Sequence, residues 1–105
     1  MDTSYIVVLI TAKDLAEAKK ISQMLLEKRL AACINISERV NSNFLWEGKV
    51  DHATESLLIV KSRRELFDKI VKAVKSVHSY SVPEIIALPI ILGEEKYLKW
   101  ISDST

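Results

Sequence analysis

Pro83-Glu84-Ile85-Ile86-Ala87-Leu88-Pro89-Ile90-Ile91-Leu92 is an apolar run of strand length that holds both prolines of the chain. The two prolines are six residues apart, so in an extended strand their missing N–H groups fall on the same lateral side. A sheet tolerates that only where the side is an edge. The run is therefore read as an edge strand, and the rest of the chain has to supply a sheet for it to join.

Three further strands precede it. Tyr5-Ile6-Val7-Val8-Leu9-Ile10-Thr11 is continuous, apolar and rich in Val and Ile, as a buried strand is. Ala31 to Trp46 alternates, with Ala32, Ile34 and Ile36 on one side and Cys33 and Asn35 on the other, and is read as a second strand with an irregular end. Glu47-Gly48-Lys49 supplies a tight turn, and His52 to Lys61 returns as the third strand. Between the first two strands, Leu15, Ala18, Ile21, Met24 and Leu25 recur at helical spacing behind an Asp14-x-x-Glu17 capping signal, predicting a helix to about Leu30. Ser62-x-x-Glu65 predicts a second capping box, opening a helix with Leu66, Phe67, Ile70, Val71, Val74 and Val77 inward and Lys69, Lys72 and Lys75 outward. After Gly93, Glu94 to Ser102 predicts a short terminal helix carrying Tyr97 and Trp100.

The order βαββαβ plus a tail predicts the ferredoxin-like split βαβ architecture: an α+β domain over residues 1–105, with an antiparallel sheet and two helices on one face. Yet the first, third and fourth strands are apolar on both alternating faces, and two helices cover one. The economical cover for the other face is a second copy of the same sheet, so a homo-oligomer is expected.

Composition removes several function classes. Lys plus Arg number 15 against 14 Asp plus Glu, a net charge of +1, so no global field draws in nucleic acid or a membrane. The chain opens on MDTSY, without a basic leader or an apolar segment of about 20 residues, and it holds one cysteine. A reducing, cytoplasmic setting is expected. One Cys and two His, at 33, 52 and 78, lack the paired spacing of a zinc site. Met1, Met24 and surface carboxylates add metal donors without specificity.

His78-Ser79-Tyr80-Ser81-Val82-Pro83-Glu84 leads into the fourth strand and holds most of the remaining chemistry. His78 follows a helix end, where an imidazole can bond the last carbonyls. Glu84 shares a strand face with Ile86, Leu88 and Ile90, and Lys61, ending the third strand, is the partner expected for it. Cys33 reads as a small buried side chain with no cationic neighbour in sequence, and Trp46 and Trp100 as packing anchors. An enzyme would use Cys33 as nucleophile and His78 as base, but no third orienting group or Gly-rich anion loop accompanies them. An RNA-binding sheet would show stacking aromatics on its central strands, which offer Tyr5.

Ala32-Cys33-Ile34-Asn35, Trp46-Glu47-Gly48-Lys49-Val50, Glu55 through Lys61, His78 through Ile86 and Tyr97-Leu98-Lys99-Trp100-Ile101 closely resemble, in order and spacing, the divalent-cation tolerance protein CutA family. The resemblance spans the chain. Two positions depart from the pattern: Ser79 stands where the family usually has proline, and Phe44 where it usually has tyrosine.

The resemblance implies a tight homotrimer, similar in architecture to PII signalling proteins, with no enzymatic reaction and a link to copper and other divalent cations. It also implies a small-molecule or metal-ion ligand, with neither nucleic acid nor membrane as partner. Cys33, Asn35, Trp46, Lys61, His78, Tyr80 and Glu84 are carried over as the wall of an inter-subunit cleft, and Cys33 and His78 as metal donors. No cofactor is required on this reading, and Cu(II) or another divalent cation binds weakly. The alternatives are a dedicated copper-handling protein and an enzyme that uses the cleft.

Overall fold

The computed structural model describes residues 4–105, so Met1 lies outside the described residues. The elements follow in the order β1 (Tyr5–Ala12), α1 (Leu15–Glu27), β2 (Cys33–Trp46), β3 (Lys49–Arg63), a 3-10 turn (Arg64–Leu66), α2 (Phe67–Val77), β4 (Ile85–Pro89) and α3 (Glu95–Ser104). The sheet is antiparallel throughout in the order β2-β3-β1-β4, which is the ferredoxin-like arrangement, with β4 at an edge. Ile90 N–H turns inward to the Tyr5 carbonyl at 2.9 Å, so the ring nitrogen of Pro89 faces away from β1.

Alternation sorts the strands into two faces. Ile6, Val8, Ile10 and Ala12 of β1 and Leu58 and Val60 of β3 are buried against Ala18, Ile21 and Leu25 of α1 and Ile70 and Val74 of α2. Ile34 and Ile36 of β2 join them, as their alternation with Cys33 and Asn35 predicts. Burying each of the Val, Leu and Ile side chains among these is worth roughly 1.5–3 kcal/mol. On the opposite, open face Val7, Leu9, Leu57 and Ile59 are half-buried, and Ile86 and Leu88 are 52% and 51% exposed.

Helix α3 crosses one end of that open face. Tyr5 Oη and Ser102 Oγ lie 2.6 Å apart, and Arg63 donates from Nε to Thr105 Oγ1 at 2.7 Å and from a terminal nitrogen to the Thr105 carbonyl at 3.0 Å. Ile101 is fully buried beneath it. The second face is thus part-covered by the chain itself, which the helix count above did not include.

Helix ends follow the sequence in one case and not in another. Asp14 Oδ1 accepts Glu17 N–H at 2.8 Å, as the capping signal predicts. The Ser62 capping box does not form: Ser62 is the fully buried last inward residue of β3, and its hydroxyl donates to the Leu30 carbonyl at 2.6 Å. Glu65 pairs with Arg63 instead, and α2 starts at Phe67 without a side-chain cap. At the other end of α1, Leu30 N–H returns to the Leu25 carbonyl and Arg29 N–H to that of Leu26, a Schellman closure in which Arg29 takes φ 56°.

The β2–β3 hairpin is longer than predicted. β1 pairs with residues 56–63 of β3, so the outer part of the hairpin, beyond a bulge between Ser37 and Val40, has no third strand beside it. Its two-residue turn, Glu47-Gly48, has φ 51° and 77°, the doubly positive geometry that suits a twisted hairpin. Leu45, Trp46 and Val50 at the tip are 75%, 55% and 77% exposed. Trp100 is likewise half-exposed on α3, with its ring centroid 5.4 Å from that of Tyr97. β4 is shorter than predicted, and Pro83 precedes it.

Candidate functional site

The residues carried over from the sequence fall into two groups at opposite ends of the sheet, except Trp46, which stands apart from both at the hairpin tip, opposite Lys49. Register explains the division. Lys61 and Cys33 stand opposite each other in the row of Val7 and Leu88, while Asn35, Ile59, Leu9 and Ile86 form the next row on the same face. His78 is held at Thr11, four residues further along β1 than Val7, a displacement of roughly 13 Å.

At the first end, Lys61 Nζ donates to Asn35 Oδ1 and lies 3.4 Å from the Ile59 carbonyl. Cys33 is half-buried beside it, and Tyr97 of α3 comes near enough to the thiol for the two to interact electrostatically. Burial, and then Cys33, push the Tyr97 phenol upward from its ordinary range, so its hydroxyl stays a donor. Sequence reasoning placed Tyr97 only on a helix; nothing in its spacing shows that α3 folds back over Cys33.

At the second end, the His78 side chain is fully buried. Its Nδ1 accepts the Tyr80 N–H at 3.0 Å, so the ring proton sits on Nε2, which donates to the Thr11 carbonyl at 2.8 Å. Tyr80 Oη donates to Glu55 Oε2 at 2.7 Å, and burial, then the Glu55 carboxylate, push its phenol up to about 12. Glu17 completes the group. Its carboxylate accepts the Lys13 N–H at 3.2 Å and the Ser79 N–H at 3.0 Å, and lies 3.9 Å from His78 Nδ1. Burial alone would raise Glu17, but hydrogen bonds from Ser79 and Lys13 outweigh it and hold the carboxyl below its ordinary value.

Two expectations need correcting for the single chain. Lys61 and Glu84 do not pair: Glu84 is exposed just before β4, at the Thr11 end of the sheet, whereas Lys61 is engaged with Asn35 at the Val7 end. Cys33 and His78 are not brought together either, and both His78 ring nitrogens are committed to backbone groups. Among the described residues, no three His, Cys, Asp or Glu side chains are placed to share a metal ion. Glu55, the partner that Tyr80 does find, stands between Thr54 and Ser56, and no apolar pattern beside it in the sequence marks it as buried.

Comparison with known proteins bears on the whole chain. Residues 6–104 match the family model described as CutA1 divalent ion tolerance protein. The divalent-cation tolerance protein CutA of Archaeoglobus fulgidus is 48% identical over 95 residues, 90% of this chain and 92% of that one. The chloroplastic CutA proteins of Arabidopsis thaliana and rice are 43% and 44% identical, and this chain spans 55% and 56% of their lengths. Among solved structures, the divalent cation tolerance protein of Thermus thermophilus superposes with a TM-score of 0.95 at 44% identity, covering 96% of this chain and 98% of that one. The A. fulgidus structure, described as a periplasmic divalent cation tolerance protein, gives 0.92 at 46% identity, covering 95% and 97%. With residues 6–104 matched by the family model and the whole fold shared with solved relatives at more than 40% identity, the chain belongs to the CutA1 divalent ion tolerance protein family.

Proposed function

We propose that the chain is the subunit of a non-enzymatic, homotrimeric divalent-cation tolerance protein, PII-like in architecture, whose open sheet faces pack together. The observation that carries this is the open face itself. Ile59, Leu57, Leu9 and Val7 form an apolar centre, and Ile86 and Leu88 extend it half-exposed to the edge strand; apart from this face, Leu45, Trp46 and Val50 are exposed at the hairpin tip. Covering such a surface with copies of itself is the low-cost solution for a chain with a net charge of +1. The names of its relatives support the tolerance reading.

Cu(II) or another divalent cation binds weakly on this reading, drawing on the Cys33 thiol and on donors from more than one copy. The free thiol of Cys33 suits a cytoplasmic protein. No helix among the described residues is long and apolar enough to cross a membrane. Sedimentation equilibrium at micromolar concentration tests assembly: a species three times the 11.9 kDa chain mass is expected, and a stable folded monomer overturns the reading. Cu(II) titration with a chelator control tests the rest. The fold should survive chelation, because assembly rests on apolar packing; unfolding or dissociation on chelation would reveal a structural metal.

A further inference from the structure

We propose that the outer surface of the helix layer, α1 with α2, is a docking face for an acidic segment of a partner protein. The buried sides of both helices pack on the sheet, and the open sheet face lies on the far side of that sheet. The outer surface therefore faces water in a lone chain, and equally in an assembly built through the open face.

Charge is divided unevenly between this layer and the rest of the chain. Residues 13–30 and 64–77, the two helices with their flanks, hold nine Lys and Arg against five Asp and Glu, a balance of +4. The other residues hold six against nine, a balance of −3, so the net charge of +1 conceals a strongly basic side. Local contacts sharpen it. Glu17 is buried and bonded to backbone N–H groups, Asp14 caps α1, and Glu65 is drawn to Arg63 of β3. Lys19, Lys20, Lys69, Lys72 and Lys75 are exposed, and among the described residues none of them has a carboxylate partner.

Helix geometry gathers these lysines. α1 and α2 run antiparallel: Glu17 in the first turn of α1 bonds Ser79 just beyond the end of α2, and the Leu30 carbonyl beyond α1 bonds Ser62 ahead of α2. Lys19 and Lys20 thus lie at the same end of the layer as Lys72 and Lys75. Lys69, Lys72 and Lys75 follow at three-residue spacing, so neighbouring like charges repel, and Lys69 stands in the first turn of α2, where the helix dipole disfavours a cation. Of the three only Lys75, in the last turn, suits the fold; the row as a whole suits an anionic partner. Seven of the nine cations of the layer are lysine. A compact ammonium meets single carboxylates, whereas the planar arginine fork is the usual reader of phosphate. Among the described residues the one large apolar side chain exposed on α1 or α2 is Leu26, so no exposed aromatic ring offers bases a stacking platform. A protein segment rich in Asp and Glu fits this chemistry better than a nucleic acid.

The test titrates the full chain with a fluorescently labelled oligoglutamate peptide, and separately with an oligothymidylate of equal charge, read by anisotropy and by amide shifts. Saturable binding of the peptide is expected, with shifts concentrated on α1 and α2 and an affinity that falls as salt is raised. Lys69→Gln, Lys72→Gln and Lys75→Gln combined should weaken it by about tenfold or more. Lys49→Gln, Lys96→Gln and Lys99→Gln combined remove the same charge from elsewhere and should stay within about threefold of wild type. Circular dichroism checks the fold of each; if the α2 variant does not fold, Lys19→Gln with Lys20→Gln takes its place under the same expectation. Absence of saturable peptide binding, equal weakening by the two sets of substitutions, or tighter binding of oligothymidylate than of peptide overturns the proposal.

Discussion

The Tyr80 hydroxyl donates to Glu55 Oε2 at 2.7 Å, joining the loop before β4 to the part of β3 where the hairpin leaves the sheet. Glu55 is buried, and an ionised carboxylate there needs its partner. Tyr80→Phe should therefore cost about 1–3 kcal/mol in denaturant unfolding, more than a surface hydroxyl would. A pH arm checks the cause. The folded Tyr80 phenol sits at about 12 against an ordinary value of 10.0, so its contribution is complete below pH 10 and is lost as pH rises through the folded value. Wild type should lose melting temperature faster than Tyr80→Phe between pH 10 and 12. Parallel curves would remove this bond from the account.

Glu17 makes the opposite prediction in pH. Its folded value lies below the unfolded 4.5, so its contribution is present above pH 4.5 and is lost as pH falls further. Glu17→Gln keeps the shape but replaces a carboxylate that accepts two backbone N–H groups, from Lys13 and Ser79. A loss of about 1–3 kcal/mol at pH 7 is expected, shrinking as pH drops below 4.5. Chemical unfolding at a series of pH values, at one fixed protein concentration, measures it; a pH-independent difference would contradict the charged role.

Much of the fold is legible in the residues because period and burial agree there. Ile6, Val8 and Ile10 alternate inward, Ala18, Ile21 and Leu25 repeat at helical spacing, and Pro89 marks an edge, so no distant contact is needed to read them. Ser62 shows where this fails. Its S-x-x-E pattern is that of a helix cap, but strand parity places it inward beneath Leu30, and the strand's hydrogen bonding outweighs a cap worth about 1 kcal/mol. The polar corners were half legible. Cys33, Asn35 and Lys61 share a face by alternation and register, but their separation from His78, Tyr80 and Glu84 depends on which strand lies beside which, and that is a long-range property.

Arg29 offers a stabilising change. It holds φ 56° at the position after the α1 cap where glycine is usual, and a non-glycine residue there costs roughly 1 kcal/mol. Its side chain is exposed and the Schellman bonds come from backbone alone. Arg29→Gly should raise stability by about 0.5–1 kcal/mol net of the extra freedom glycine gives the unfolded chain. A fall in the unfolding midpoint would show that the arginine stem contributes packing that outweighs its backbone cost.

Ile59 is the position that tests the proposed assembly and the fold together. It lies at the centre of the open face, opposite Leu9 on one side and Asn35 on the other. Within one chain it is half-buried, so a charge there could still reach water. Under copies of the same face it could not, and an unpaired buried charge costs several kcal/mol. Ile59→Asp should therefore abolish assembly and folding together, while wild type should melt at a temperature that rises with protein concentration, as an obligate oligomer does. Circular dichroism and sedimentation on the variant decide the matter. A well-folded, soluble monomer would mean that this face is covered by nothing, and that its apolar side chains have some purpose other than holding copies together.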